Sequence, residues 1–566
     1  MATSNGRPLT VRTSIPRVSV VLATAVAVML PLGLVFYQSF LNAPFFNPSA
    51  KLGLSAYAYV LSDPDFHKAF VTTAVIAFGI TAIAVPLGGM LAFLMVRTDL
   101  PGRRWLEPLL LVPLFVSPVV FAFGYVVAGG PVGFFSLWAK QLFGFIPWNI
   151  YSMSGLILIG GLSHAPYVYV YSSSALRSLG SDLEEAARTA GAGPLRVALT
   201  VSLPMVLPSL LFSGVLVCFL AFELFGLPLV LGDPEGILVL ATYLYKLTNR
   251  LGVPSYQLMA VVVVAIMLVT LPLVYLQRRL LSTSGKYISI KGKGLNPRPL
   301  ELGSWRWPAL AFVGLWLGLT VVVPLMGVGL RSVVSAWGEG INILEVLTLD
   351  HFREISNYPN VIRGITNTLL IAVIGGAFSV AAYSAISLAA HRWQGGWSRL
   401  LDYLVLIPRA MPGLVAGLAF LWLFLFFSPL VPLRNTIFSV WLAYTVVWLA
   451  YGMRLISAAL LQIGPELEEG ARVAGATPAQ VTRHVVLPLI RFSLLGSWVL
   501  VFLIFVRDYS TGVYLLGPGT EVIGSLLVSL WGAGAIDLIA ALSMVNVILI
   551  GAGLAVALRW GVRLHG

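Results

Sequence analysis

The chain has 566 residues, of which 58% are apolar and only 10% charged, and a formal net charge of +13. Together with a mean hydropathy of +0.92, this excludes a soluble globular domain and a disordered chain and leaves a polytopic membrane protein whose main solvent is the bilayer. Basic residues scattered among short segments rather than gathered in one stripe argue against a nucleic-acid surface, and a single cysteine, Cys218, rules out intrachain disulfides and cysteine metal clusters.

Apolar runs long enough to cross ~30 Å of hydrocarbon as a helix recur twelve times. The first half offers 18–37, 70–96, 109–127, 156–174, 207–231 and 258–275; the second offers 310–330, 368–390, 401–427, 438–455, 489–506 and 538–558. These runs lack the alternation of a barrel strand and satisfy their backbone internally as helices. The expected fold class is therefore an all-α polytopic membrane protein, with about 12 transmembrane helices in two pseudo-symmetric six-helix halves. Arg12 and Arg17 before the first run would suit a signal peptide, but the run is long and ends in Phe36-Tyr37, so it is read as a retained helix. Lys and Arg concentrate in the segments that a cytoplasmic N terminus would make internal, with seven of them in 276–309 alone. Both termini are accordingly expected on the cytoplasmic side of the membrane.

The chain contains an internal repeat. LEEAARTAGAGPLRVALTVSLP, residues 183–204, returns as LEEGARVAGATPAQVTRHVVLP, residues 467–488, at an offset of 284. Upstream the offset is 295, from Val112-Pro113 to Ile407-Pro408, so the first copy carries 11 extra residues, assigned to the outer segment 131–153 with its interfacial Trp138, Trp148 and Tyr151. The domain reading follows: a first half at 1–276 (core about 66–276), a polar linker at 277–307, and a second half at 308–566 (core about 362–558). The linker fragment Ser284-Gly285-Lys286 lacks the earlier glycine and the strand of a phosphate-binding loop.

Each repeated stretch spells two short helices joined at a glycine. Ser181 stands three residues before Glu184, a capping-box spacing, and Leu183, Ala186, Ala187 and Ala190 form one narrow face of small side chains while Glu184, Glu185 and Arg188 point elsewhere. Gly191 ends the helix and Pro194 starts the next. In the second copy Leu467, Gly470, Ala471 and Ala474 make the face, Gly475 ends it, and Thr477-Pro478 is a cap followed by proline. Such a peg is suited to docking.

These stretches resemble the EAA loop of ABC-importer permeases: EAA, three residues, G, nine residues, an aliphatic, one residue, LP. Glu185, Ala186, Ala187, Gly191, Val201, Leu203 and Pro204 fit, as do Glu469, Ala471, Gly475, Val485, Leu487 and Pro488, with Gly470 departing from the usual alanine. The resemblance implies a type I importer with both permease subunits fused in one chain. It implies two copies of a separate ABC ATPase that carry ATP and Mg and grip the loops, an extracytoplasmic solute-binding protein, and no cofactor or catalysis in this chain. FELFGLPLVLGDPEG followed by VLATYLYKL resembles the ferric-iron type. Thiamine, polyamine, sulfate and phosphonate importers are relatives and remain alternatives; an ion-coupled secondary transporter or a membrane scaffold would leave the duplicated loops without a task.

Ionisable groups inside spans mark a path or its partner. Glu223 falls in the fifth run; its counterpart 284 residues on is Arg507, beside Asp508. These three are the expected translocation-path residues, the competing reading being structural pairing. Arg409 in IPRAMPG is expected to snorkel to the inner surface. Tyr167, Tyr169 and Tyr171 should spread around one helix, and His164 is isolated.

Overall fold

The computed structural model describes residues 15–178, 182–249, 254–284, 299–393 and 396–559. Among them, ten helices are long and apolar enough to cross a membrane: Arg17–Ser39, Pro64–Arg97, Pro118–Phe143, Met153–Ser178, Ala198–Phe222, Tyr256–Gln277, Gly303–Ser332, Pro359–Ala390, Pro478–Arg507 and Ile536–Arg559. Two bent pairs, Gly396–Ala410 with Gly413–Phe426 and Ser428–Arg434 with Ile437–Val447, bring the number to the twelve expected.

The duplication is reproduced element by element. Pro194–Val197 and the π-helical Ala198–Ser202 return as Pro478–Val481 and Thr482–Val486, a constant offset of 284. Met153–Ser178 covers the same stretch as Ile437–Val447 plus Leu449–Gln462 at that offset. Upstream, Pro64 and Pro118 correspond to Pro359 and Gly413 at 295. The segment 131–153, to which the extra residues of the first copy were assigned, contains a helix, Phe134–Phe143. Trp148 closes that segment by donating from Nε1 to the Gly129 carbonyl at 3.0 Å.

Four runs expected to be continuous are broken, the tenth at Trp448 into Ile437–Val447 and Leu449–Gln462. The third run becomes Arg103–Leu110, Val112–Phe115 and Pro118–Gly129. The ninth is bent by 108° between Ala410 and Gly413, where Pro412 forces Met411 into an extended conformation (φ −97°, ψ 115°). The fifth ends at Phe222 rather than at 231, because Gly226 and Pro228 cannot sustain α-helical bonding across Glu223. Two short helices then turn back into each half, Leu240–Asn249 and Ile523–Ala533. The helix expected to end near 276 runs on through Ser284. Ser181, Gly285 and Lys286 lie outside the described residues, as does the linker segment 285–298.

Within each half the second span packs against the fourth at very short range, and small side chains allow the approach. A Cβ on Gly88 would meet the Val168 side chain at 2.5 Å, whereas at the duplicated positions Tyr383 fills the space and Gly452 supplies the room, a Cβ there lying 2.1 Å from the Tyr383 ring. The same gap is closed from opposite sides in the two halves. The first helix of each half crosses over: Arg17–Ser39 packs on Gly376–Ala390 and Gly413–Phe426 of the second half, and Val323–Ser332 on Pro118–Gly129 of the first.

Candidate functional site: two hairpins and the seam between the halves

Each hairpin is a short helix, Asp182–Thr189 or Pro465–Val473, followed by a glycine elbow. Gly191 has φ +86° and Gly475 φ +88°. No atom lies within 4 Å of a Cβ built on either, so backbone conformation rather than space requires glycine. The closing bonds are the same in both copies. Gly191 N–H donates to the Arg188 carbonyl (2.9 Å) and Ala192 to Ala187 (3.0 Å); Gly475 donates to Arg472 (2.9 Å) and Ala476 to Ala471 (3.0 Å). This is the Schellman arrangement. Thr477 and Gln480 then form a reciprocal capping box that starts the next helix.

The motif residues are mostly accessible. Glu185, Ala186, Leu203, Pro204, Glu469, Gly470 and Pro488 are exposed, and Ala187, Ala471 and Leu487 are half-buried. Leu467 and Val473 also stand in the open, Val473 at 90%. A Cβ on Gly470 would meet nothing, so the departure from alanine leaves the docking face unobstructed.

Glu184, read from the sequence only as lying off the small-residue face, is buried. It pairs with Arg97 at the end of the second span (3.5 Å, both under 4% exposed) and accepts from Ser202 Oγ at 2.7 Å. Its counterpart Glu468 is buried too, hydrogen-bonded to His391 Nε2 (2.8 Å) and to Arg392 Nε (2.7 Å). Arg97 and Arg392 are duplicates at the 295 offset, so both hairpins are tied to the second span of their own half by an equivalent Arg–Glu pair. Arg392 holds φ +52°, the one positive-φ non-glycine among the described residues, and its Nη2 also donates to the Ile463 carbonyl at 2.8 Å. Burial works to raise the Glu468 carboxyl, but the hydrogen bonds and charges of His391 and Arg392 outweigh it and hold Glu468 below the usual glutamate range.

Each anchor is also held by a segment outside its own half. Arg17 lies 5.7 Å over the Trp393 ring. At the first anchor, Arg306 pairs with Asp99, Leu302 N–H donates to Asp99 at 2.9 Å, and Leu300 bridges to Thr98. The Leu302 amide is the main reason the Asp99 carboxyl sits below its ordinary range.

The expected path residues lie where the halves meet. Phe225 and Tyr509, equivalent at 284, stack with ring centroids 6.2 Å apart and 1° between planes, which puts the pseudo-twofold axis between them. Gly226 N–H donates to the Tyr509 hydroxyl at 3.1 Å. Two residues before this stack stand Glu223 and Arg507, opposite charges at duplicated positions. Arg507 donates to the Tyr167 hydroxyl at 3.4 Å. Glu223 lies within electrostatic reach of Tyr451, the duplicate of Tyr167, and of Arg409. Oε1 of Glu223 and Nε of Arg409 are buried without a hydrogen-bond partner. Glu223, Arg409, Arg507, Tyr167 and Tyr451 all keep partial exposure, so they line a crevice rather than a dry core.

Arg409 therefore corrects the snorkelling expectation. Its guanidinium lies 5.5 Å over the Tyr451 ring, turned into the seam by the break at Met411-Pro412. Asp508 is committed locally: its carboxylate accepts from Trp448 Nε1 (2.8 Å), Thr511 Oγ1 (2.9 Å) and Thr511 N–H (3.0 Å). The three tyrosines spread as expected, Tyr169 donating to Glu107 and Tyr171 packing edge-on against Phe212. His164, given no role from sequence, stacks on Tyr167.

The family model described as binding-protein-dependent transport system inner membrane component matches twice, over residues 84–282 and 382–565. The chain belongs to this family. It is an ABC-importer permease with two permease units in one chain, a transport subunit rather than an enzyme. The family's working partners are an ATPase and a solute-binding protein. Among similar proteins, the ferric transport system permease protein FbpB of Actinobacillus pleuropneumoniae is 22% identical over 520 residues, covering 89% of this chain and 72% of that one. The putative 2-aminoethylphosphonate transport system permease protein PhnU of Salmonella typhi is 32% identical over 231 residues, 40% of this chain and 77% of that one. The molybdenum transport system permease protein ModB of Escherichia coli K12 is 31% identical over 157 residues, 28% and 67%. A bacterial ABC transporter involved in the import of the acidic polysaccharide alginate aligns with TM-score 0.39 and 16% identity over 49% of this permease and 97% of that chain.

Proposed function

We propose that this permease carries ferric iron from an extracytoplasmic binding protein into the cytoplasm, with both termini on the cytoplasmic side. The observation that carries the reading is the similarity to the ferric permease FbpB over 89% of this chain, enough to take in both halves. Two ATPase copies, holding ATP and Mg, would each seat on one hairpin through Glu185, Ala186, Ala187 and Gly191 or Glu469, Gly470, Ala471 and Gly475. Closure of the ATPases pulls both pegs; the Arg97–Glu184 and Arg392–Glu468 anchors pass that pull to the second spans. The halves then rock about the Phe225–Tyr509 contact and expose the crevice to alternate sides. Glu223, Arg507 and Asp508 are proposed as path residues, Glu223 facing the cargo and Asp508 balancing Arg507.

Two guanidiniums in the seam, Arg409 and Arg507, favour a second reading, an oxyanion such as a phosphonate, in keeping with the local similarity to PhnU. Uptake into vesicles holding the permease with its native ATPase and binding protein decides between them. ATP-dependent accumulation of iron supports the first reading, accumulation of a phosphonate but no iron replaces it, and uptake of either without nucleotide overturns the ABC mechanism for this chain.

A further inference from the structure

A groove of about 890 Å³ runs between the second, fifth and seventh spans near the first hairpin. Gly89, Met90 and Phe93 form one wall and Leu199, Leu203 and Val206 a second. The third is the opening face of the seventh span, Trp305, Ala309 and Phe312, spaced i, i+4, i+7 on one side of a helix. The walls are almost wholly apolar, with Thr98, Ser202 and Glu301 supplying polar groups. The volume lies within the roughly 300–1,000 Å³ typical of enclosed ligand sites.

What fills the groove follows from where its walls run. All three are segments of membrane spans, and Met90, Leu199 and Leu203 are 44–55% exposed, so the groove opens sideways into hydrocarbon. Trp305 is 71% exposed at the start of its span, the position of a headgroup-level anchor. Arg196 is exposed about one turn before Leu199 on the same continuous helical stretch, where a basic side chain meets lipid phosphate. We propose that this groove binds one anionic phospholipid, with an acyl chain between the three spans and the phosphate against Arg196; placing it in the inner leaflet rests on the orientation proposed above. Ser202 lines the groove and also donates to Glu184, and Thr98 follows Arg97. The lipid thus bears on the anchor of the first hairpin and braces it from the membrane side.

The full chain, purified in mild detergent, is titrated with phosphatidylglycerol or phosphatidylcholine and read by native mass spectrometry. The wild type retains one phosphatidylglycerol about tenfold more tightly than phosphatidylcholine. Ala198→Trp, beside Leu199 in the groove lining, and, from the first wall, Met90→Trp fill the groove and abolish retention of that lipid, while Arg196→Gln keeps retention but removes the preference. Equal retention in the wild type and both tryptophan variants overturns the site, and an unchanged preference in Arg196→Gln overturns the phosphate contact. The readout needs neither ATPase nor cargo, so a failed import reading leaves it intact, and lipid loss with normal uptake refutes only the bracing of the hairpin.

Discussion

Phe225 stacks in parallel on Tyr509, and the two are the same position of the duplicated halves. A contact on a pseudo-symmetry axis moves least when the halves rock and changes most if they separate. With Cys218 replaced by Ala, a Phe225→Cys, Tyr509→Cys pair joined by a cleavable thiol-reactive cross-linker is therefore expected to keep ATP-driven uptake. Uptake that stops on cross-linking and returns on cleavage would show that the halves part at this contact rather than rock about it.

The Arg–Glu anchors should differ in strength. Arg97 and Glu184 are both almost fully buried, so Glu184→Gln breaks a charge pair shielded from water and is expected to cost about 3–5 kcal/mol locally. Arg392 is one-third exposed, and Glu468→Gln should cost less, about 1.5–3 kcal/mol. Hydrogen exchange over 182–204 and 465–488 compares them; equal protection in both variants contradicts the ranking.

The second anchor also carries a pH dependence. Because the folded Glu468 carboxyl is held below its ordinary value of about 4.3, its contribution is complete above that value and is lost as pH falls through the lower folded one. A fluorophore on Val473→Cys, again without Cys218, should show flat anisotropy from pH 8 to 5 and a drop below about pH 4. Glu468→Gln is expected to have low anisotropy throughout and no step. A step that persists in Glu468→Gln assigns the titration to another group.

Proline cannot adopt the φ of +86° and +88° at the elbows. Gly191→Pro combined with Gly475→Pro is therefore expected to abolish co-purification of the ATPase while the spans stay inserted. Gly470→Ala, facing open space, should retain docking and stiffen its helix by about 0.5–1 kcal/mol. Normal ATPase recovery with the double proline variant would remove the hairpins from the coupling role.

Glu223 and Arg409 face each other electrostatically from opposite halves. Glu223→Gln should lower uptake of a cationic cargo at least tenfold with complex assembly unchanged. The reversed pair, Glu223→Arg with Arg409→Glu, should recover more activity than either reversal alone. Unaltered uptake in Glu223→Gln takes this residue out of the path.

Sequence alone determined the spans, the duplication and the hairpin grammar, because each is written in local terms: run length, a constant offset, and glycine and proline where the backbone must turn. The elbows at Gly191 and Gly475 were legible for that reason. Only the tertiary structure decided which charges are partners. Arg392 meets Glu468 across 76 residues and Arg507 meets Tyr167 across 340, and no periodicity encodes such pairings. Arg409 was misplaced because its direction depends on a 108° bend, and the burial of Glu184 was not legible because its partner Arg97 belongs to a different span. Low dielectric makes an unpaired charge so costly that the fold, rather than the local pattern, selects its partner.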